Sequence, residues 1–422
     1  MSTAEMSLEL ELEALAKRTK SAAKTLATAH TAKKNDLLKC IAEKIEQQKD
    51  AITQANQLDL DRGQQSGLSN ALLDRLKLND KRMNAMVEGI RKVIELDDPI
   101  GQITKDWVQD QGVHLQRMRV PIGVIGIIFE SRPNVTVDAS ALCLKSGNAT
   151  LLRGGKEAIE SNLALGQIIS EAAAECALPR EIVSVLPTTD RAAIPVLCHM
   201  NEFIDLMIPR GGHGLIKTVV EHARMPVIKH YDGICHVYIH EKTDPDMAVK
   251  IVLNAKTQRP GVCNAMETLL IDRSIISTTG KKIIEALKAA EVEIFTDEST
   301  NEAMESSYDP PESWSVEYLD LKVSVKVVEG LADAVDHIET YGSHHSDTIV
   351  TQDEEVAEQF LRRVDSSAVY WNVSTRFTDG MAFGMGAEIG ISTDKIHARG
   401  PMALEELTSY KYVARGHGQI ID

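Results

Sequence analysis

From Ile122 onward the chain repeats one pattern, a short apolar run followed by a longer stretch with helical character. Short strands alternating with helices fold as a mainly parallel sheet covered on both faces, so this pattern sets an α/β class before any motif is weighed. Strands are predicted at 122–129, 149–153, 182–186, 204–208 and 226–229, and helices at 134–146, 156–176, 189–199 and 213–223. A second series begins after Asp232-Gly233. Its strands are expected at 235–240, 266–271, 292–296, 323–328, 347–350 and 367–371. Its helices are expected at 245–258, 280–290, 331–341 and 353–363, the first opened by Asp244 as cap and Pro245 at the first position. Two such series in 422 residues imply at least two domains, because single cores stop growing well below that length. Ligands in sheets of this kind bind beyond the carboxyl ends of the strands, where the strand order reverses.

Ahead of this region, residues 5–30, 34–56 and 69–95 read as helices, with the polar patch 57–67 as a connection. Val113 to Val120 alternates apolar and polar positions, as a half-exposed strand would, and suits a hairpin over 101–121. The tail from Thr408 to Ile421 looks extended and is a candidate to pair with that hairpin. Acidic residues 297–315 read as an irregular surface insertion. The formal charge of −16 argues against nucleic acid or an anionic membrane as partner. No apolar run is long enough for a membrane helix and no signal-peptide core is seen, so a cytoplasmic setting is expected.

The six cysteines are scattered without a C-x-x-C pair, which fits neither a disulfide framework nor a zinc site. Cys40, Cys143, Cys176 and Cys198 fall in helical stretches and are expected in the core. Cys263 differs. It sits in Gln258-Arg-Pro-Gly-Val-Cys-Asn264, where Pro260-Gly261 ends a helix before an apolar strand. A thiol on a loop near Lys256 and Arg259 is a candidate nucleophile, because nearby cations favour the thiolate. Against this stands the ordinary role of cysteine as a small buried hydrophobe. His230, Cys235, His236, His344 and His345 match no common zinc spacing, and no metal is expected.

The sequence lacks both G-x-G-x-x-G and a Walker A loop. Two Gly-rich turns remain, Leu152-Arg-Gly-Gly-Lys156 and Pro209-Arg-Gly-Gly-His-Gly214, each leaving a predicted strand. Turns that open a helix offer free N–H groups to a phosphate, and two of them on one sheet suggest a dinucleotide site. Asn134, after Phe129-Glu-Ser-Arg-Pro, is either a helix cap or an amide donor to a developing oxyanion.

These segments resemble the γ-glutamyl phosphate reductases, a family of the aldehyde dehydrogenase superfamily. The resemblance runs over essentially the whole chain and is most specific in Pro226-Val-Ile-Lys-His-Tyr-Asp-Gly-Ile-Cys-His236 and Gln258 to Glu267. It is also carried by Val328 to Ile349 with Tyr341-Gly-Ser-His-His-Ser-Asp347, by Trp371 to Gly380, and by His397-Ala-Arg-Gly-Pro401. It implies an aldehyde dehydrogenase-like α/β fold: two doubly wound domains plus an oligomerisation hairpin. The cofactor-binding domain would comprise 1–100 and 122–232, the catalytic domain 233–395, and the oligomerisation hairpin and tail 101–121 and 396–422.

The resemblance places the nucleophile at Cys263 and the oxyanion donor at Asn134. Arg153, Lys156, Gly211, Gly212 and Glu317 fall at cofactor positions, with Lys156 where a cation would suit the 2′-phosphate of NADPH. Arg259, His345 and Arg376 are candidates for the substrate's phosphate or carboxylate. Reduction of γ-glutamyl 5-phosphate by NADPH through a Cys263 thioester, for proline biosynthesis, is the implied activity. An upstream glutamate kinase would supply the substrate, and the protein would be a homodimer or homotetramer. His230 stands where hydrolytic relatives carry a water-activating glutamate. The alternatives are a hydrolytic aldehyde dehydrogenase and a non-catalytic scaffold of the same fold.

Overall fold

The computed structural model describes residues 3–421 and divides into two compact units. The first comprises Met1–Lys229, Met385–Gly390 and Met402–Asp422; the second comprises His230–Gly384 and Ile391–Pro401.

In the first unit, β1 (Ile103–Val108) and β2 (His114–Pro121) form an antiparallel hairpin. The tail strand Thr408–Arg415 pairs antiparallel with β2 from Thr408 opposite Pro121 to Arg415 opposite His114. The expected pairing of tail and hairpin is therefore present. The rest of the unit is built on β3 (Val124–Phe129), β4 (Ala149–Arg153), β5 (Val183–Val185) and β6 (Leu206–Arg210), all parallel, in the order β5-β4-β3-β6. Every residue of β3 is buried, as a central parallel strand requires. The chain moves from β3 outward to β5, then crosses to β6 on the other side of β3. The order thus reverses at the β3–β6 boundary, where such sheets bind ligands.

The amino-terminal helices differ from expectation. They run Thr3–Leu26, Thr31–Gln47, Lys49–Gln65, Asn70–Leu76 and Asp80–Glu95, so the predicted helix 34–56 breaks at Gln48 and the patch 57–67 is mostly helical. Buried polar side chains hold that patch. The Asp59 carboxylate accepts from the Ser161 N–H and hydroxyl at 2.8 and 2.7 Å, and Asn56 takes the Leu78 N–H and donates to the Leu76 carbonyl. Tertiary bonds of this kind override a polar, breaker-rich composition. The expected strand 226–229 is reduced to a single bridge from Met207 to Val227, because Pro226 has no N–H for a ladder. Cys143 and Cys198 are buried as expected, whereas Cys40 and Cys176 are half-buried at the edge of the helical layer.

The second unit is a parallel sheet in the order β12-β11-β7-β8-β10-β9. Its strands are β7 (Cys235–Ile239), β8 (Met266–Asp272), β9 (Glu293–Thr296), β10 (Lys322–Val328), β11 (Ser346–Val350) and β12 (Ala368–Trp371). Alternate residues feed two cores. Val237, Ile239, Leu269 and Ile271 pack with the helices Pro245–Thr257 and Lys281–Ala289, while Tyr238 and Leu270 pack with Leu331–Tyr341 and Glu354–Arg363. The stretch expected to be irregular after Thr296 contains the helix Glu298–Met304. It is capped by Asp297, which accepts from the Thr300 N–H, and ends at Glu305 in the left-handed region. Among the described residues no helix is long and apolar enough to cross a membrane.

Candidate active site

In the second unit the helix Pro245–Thr257 starts as the sequence predicts, with Asp244 accepting from the Met247 N–H at 2.7 Å and Pro245 in the first turn. It stops at Gln258, and the chain turns through Pro260-Gly261 to bring Cys263, half-buried, to the amino end of β8. Gly233 lies against this turn. A Cβ at position 233 would stand 1.9 Å from the Cys263 carbonyl oxygen, so only glycine permits the approach. The Gly233 N–H donates to Glu317 Oε1 at 2.8 Å, and the neighbouring Ile234 N–H donates to Ser343 Oγ at 2.8 Å. Glu317 thus fixes the segment that backs the Cys263 loop, in addition to the cofactor position that the resemblance gave it.

One ligating atom each of His230, Cys263 and His345 lies within 4.8 Å of the other two. His345 precedes β11 and is fully buried; its Nδ1 faces Ser346 Oγ at 2.8 Å and the Cys235 thiol at 3.7 Å. Burial, with His230 beside it, pushes its pKa down to about 3. A neutral imidazole offers a hydrogen bond to a substrate and no positive charge. Hydroxyls continue the network from Ser346 to Thr378 at 2.5 Å and from Thr378 to Tyr370 at 2.7 Å. Cys235, buried beneath, donates its thiol hydrogen to the Cys263 carbonyl at 3.2 Å. The sequence singled out neither Gly233 nor Ser343, Ser346 and Thr378 as parts of this site.

The cations differ from expectation. Lys256, read as a neighbour of the thiol, is fully buried and paired with the equally buried Glu267 at 2.8 Å. Burial lowers the Lys256 pKa and raises that of Glu267 to about 7. Lys256 therefore faces β8 from the helix and is committed to its partner. Positive charge comes instead from Arg376, half-buried, and the exposed Arg259. Arg376 donates to Gln258 Oε1 at 2.9 Å and to Asn264 Oδ1, and burial followed by the charge of Arg259 lowers its pKa.

In the first unit, Gly211 and Gly212 follow β6 and open the helix His213–His222. A Cβ at Gly211 would meet Glu130 Oε2 at 2.4 Å, whereas one at Gly212 would meet nothing within 4 Å. The Gly212 N–H donates to Glu130 Oε2 at 3.0 Å, so an anionic oxygen already accepts at this helix N-terminus. A helix N-terminus beside a strand-order reversal can take a dinucleotide phosphate, which here would have to displace Glu130 from the Gly212 N–H. Lys156 is exposed just after β4. Arg153 is buried, and its Nη2 donates to the carbonyls of Thr189 and Asp190 at 3.2 and 3.4 Å, so it braces the segment after β5. Asn134 stands at the start of the helix Val135–Lys145 but makes no cap bond. Its Nδ2 donates to Asp138 at 2.8 Å, and burial raises the pKa of that carboxyl to about 6.

Residues 2–304 match the aldehyde dehydrogenase family. The chain belongs to that family. It is 50% identical over 416 residues to the γ-glutamyl phosphate reductase of Moorella thermoacetica, covering 98% of this chain and all of the relative. It is 49% identical to that of Halothermothrix orenii, covering 96% and 97% of the two chains. The crystal structure of γ-glutamyl phosphate reductase from Thermotoga maritima superposes with a TM-score of 0.96 at 43% identity, over 98% of this chain and 100% of that one. Membership of this family brings a nicotinamide cofactor with it.

Proposed function

We propose that this enzyme reduces L-γ-glutamyl 5-phosphate to L-glutamate 5-semialdehyde and phosphate in proline biosynthesis, with NADPH as the reductant. The observation that carries the reading is the group around Cys263: one nitrogen each of His230 and His345 lies within 4.8 Å of the thiol sulfur, with His230 at the position that the resemblance aligns with the hydrolytic glutamate. Hydrolytic members of the superfamily need a general base to bring water to the thioester. Full-length relatives at 50% and 49% identity that bear the reductase name support the same substrate.

The Cys263 thiolate attacks the acyl carbon, forming a C–S bond as phosphate leaves. The Cys263 N–H and, by the resemblance, the Asn134 amide donate to the oxyanion. Asn134 has a second amide hydrogen for this beyond the one given to Asp138. Arg259 and Arg376 supply positive charge for the substrate's phosphate or carboxylate, and His345 a neutral hydrogen-bonding nitrogen. Gly211, Gly212 and Lys156 would hold the cofactor's phosphates, with Lys156 on the 2′-phosphate. Arg153 would act by bracing that region, and Glu317 by holding Gly233 and meeting the nicotinamide ribose. When bound, the nicotinamide supplies the hydride that takes the acyl group to the aldehyde level. The C–S bond then breaks as the carbonyl re-forms, and Cys263 returns as the thiolate while the aldehyde departs. The β1–β2 hairpin with its tail strand would join subunits of a homodimer or homotetramer, and a kinase of glutamate would supply the acyl phosphate.

The test runs the reaction backwards. With glutamate 5-semialdehyde and NADP, reduction of the cofactor should require phosphate or arsenate. Turnover without either anion would point to hydrolysis instead, and no turnover to a scaffold.

A further inference from the structure

The side chains around Cys263 have the composition of a soft-cation site, although their spacing in the sequence matches no zinc pattern. One nitrogen each of His230 and His345 and the Cys263 sulfur lie within 4.8 Å of one another. A second observation points the same way. His345 is fully buried, its Nδ1 is engaged with Ser346, and its Nε2 is buried without a hydrogen-bond partner among the described residues. A buried nitrogen left unsatisfied is costly, and a metal ion is one group that can satisfy it.

We propose that His230, Cys263 and His345 bind a thiophilic divalent cation of the zinc type, with the fourth position open to water, and that binding reversibly silences the enzyme. Thiolate and imidazole donors select zinc-like ions over magnesium or calcium. Bonds of about 2.3 Å to sulfur and about 2.0 Å to nitrogen require the three donors to close in from their present spacing. The Ser346 bond fixes the His345 ring, so His230 and Cys263, both half-buried ahead of their strands, make that adjustment. On binding, the Cys263 S–H releases its proton to solvent and an S–metal bond forms, with no change in oxidation state. The sulfur lone pair then serves the metal and is withdrawn from attack. Silencing rests on the nucleophilic role proposed above; binding does not.

The full chain, stripped with a chelator, is titrated with Co²⁺. One equivalent should bring up a near-ultraviolet thiolate-to-cobalt charge-transfer band and the visible bands of four-coordinate cobalt, and Zn²⁺ should displace it. Cys263→Ser should remove the charge-transfer band. His345→Gln should weaken Zn²⁺ binding at least about ten-fold, with His230→Gln as the equivalent variant at a less buried position. A wild-type protein without the band, or a band that survives Cys263→Ser, overturns the site. Turnover is followed in parallel with Zn²⁺ and should fall with the same midpoint as binding and return with chelator. Turnover unaffected at saturating Zn²⁺ overturns the silencing. If the protein lacks reductase activity, the absorbance still decides the site; if it turns over without binding metal, the site and the silencing both fall while the proposed function stands.

Discussion

In the first unit the residues proposed for the cofactor end or follow β4 and β6, at the carboxyl ends of parallel strands. In the second unit His230, Cys263 and His345 precede β7, β8 and β11, at the amino ends. The difference follows from what each end of a β/α unit offers. After a strand comes a helix N-terminus, with uncommitted N–H groups and partial positive charge, and the Gly212 N–H on a carboxylate shows that use. Before a strand comes a helix C-terminus, whose partial negative charge disfavours a thiolate. The helix Pro245–Thr257 ends ahead of the Cys263 loop, so this β/α unit offers the thiol no helix N-terminus with its partial positive charge. Side chains have to supply what the backbone does not, and under the proposed mechanism that charge would come from Arg376 and Arg259. On the proposed reading, one end of the alternation would bind the cofactor and the other would do chemistry with side chains.

The division can be broken by substitution. Cys263→Ala should remove at least about three orders of magnitude of turnover while cofactor binding, followed by fluorescence titration, stays within experimental error. Weakened cofactor binding of the same size would mean that the two ends do not act separately. Next, Gly233→Ala forces a methyl onto the Cys263 backbone and should lower kcat about 100-fold. Gly212→Ala meets open space at an ordinary φ of −70°, so its expected effect is on the cofactor KM, with kcat and thermal midpoint retained. Equal losses of kcat in both would refute the contrast. Lys156→Glu should weaken NADPH by about ten-fold relative to NADH, which competitive binding of the two cofactors measures. The smallest effect is expected for His230→Glu, which should let a minor fraction of the thioester go to water. Glutamate formed from the semialdehyde without phosphate is the readout, and its complete absence would rule out position 230 as a site for the base.

The sequence made the β/α alternation legible because parallel strands are buried on both faces and leave uninterrupted apolar runs. The Cys263 loop was legible too, since Pro260 and Gly261 interrupt a helix at a fixed place. The convergence of His230 and His345 on Cys263 was not. It depends on β7 lying between β8 and β11, a neighbour relation that no local pattern records. Lys256 was misread for a related reason: closeness in sequence does not say which face of a helix a residue occupies. The straight run of helix through 57–65 was hidden because Asn56 and Asp59 find their partners 20 to 102 residues away.

The Lys256–Glu267 pair has a consequence for how this sequence can change over time. It ties the last turn of the helix before the Cys263 loop to the strand after it, so the span of that loop depends on two side chains that never meet solvent. Losing either one strands the other as a lone ion in the interior, at about 3–5 kcal/mol, a large share of what holds a domain folded. Replacing both by apolar residues of similar volume is far milder. Positions 256 and 267 are therefore held together by a valley that single mutations cross only at great risk, and any lineage that alters one is expected to have altered the other.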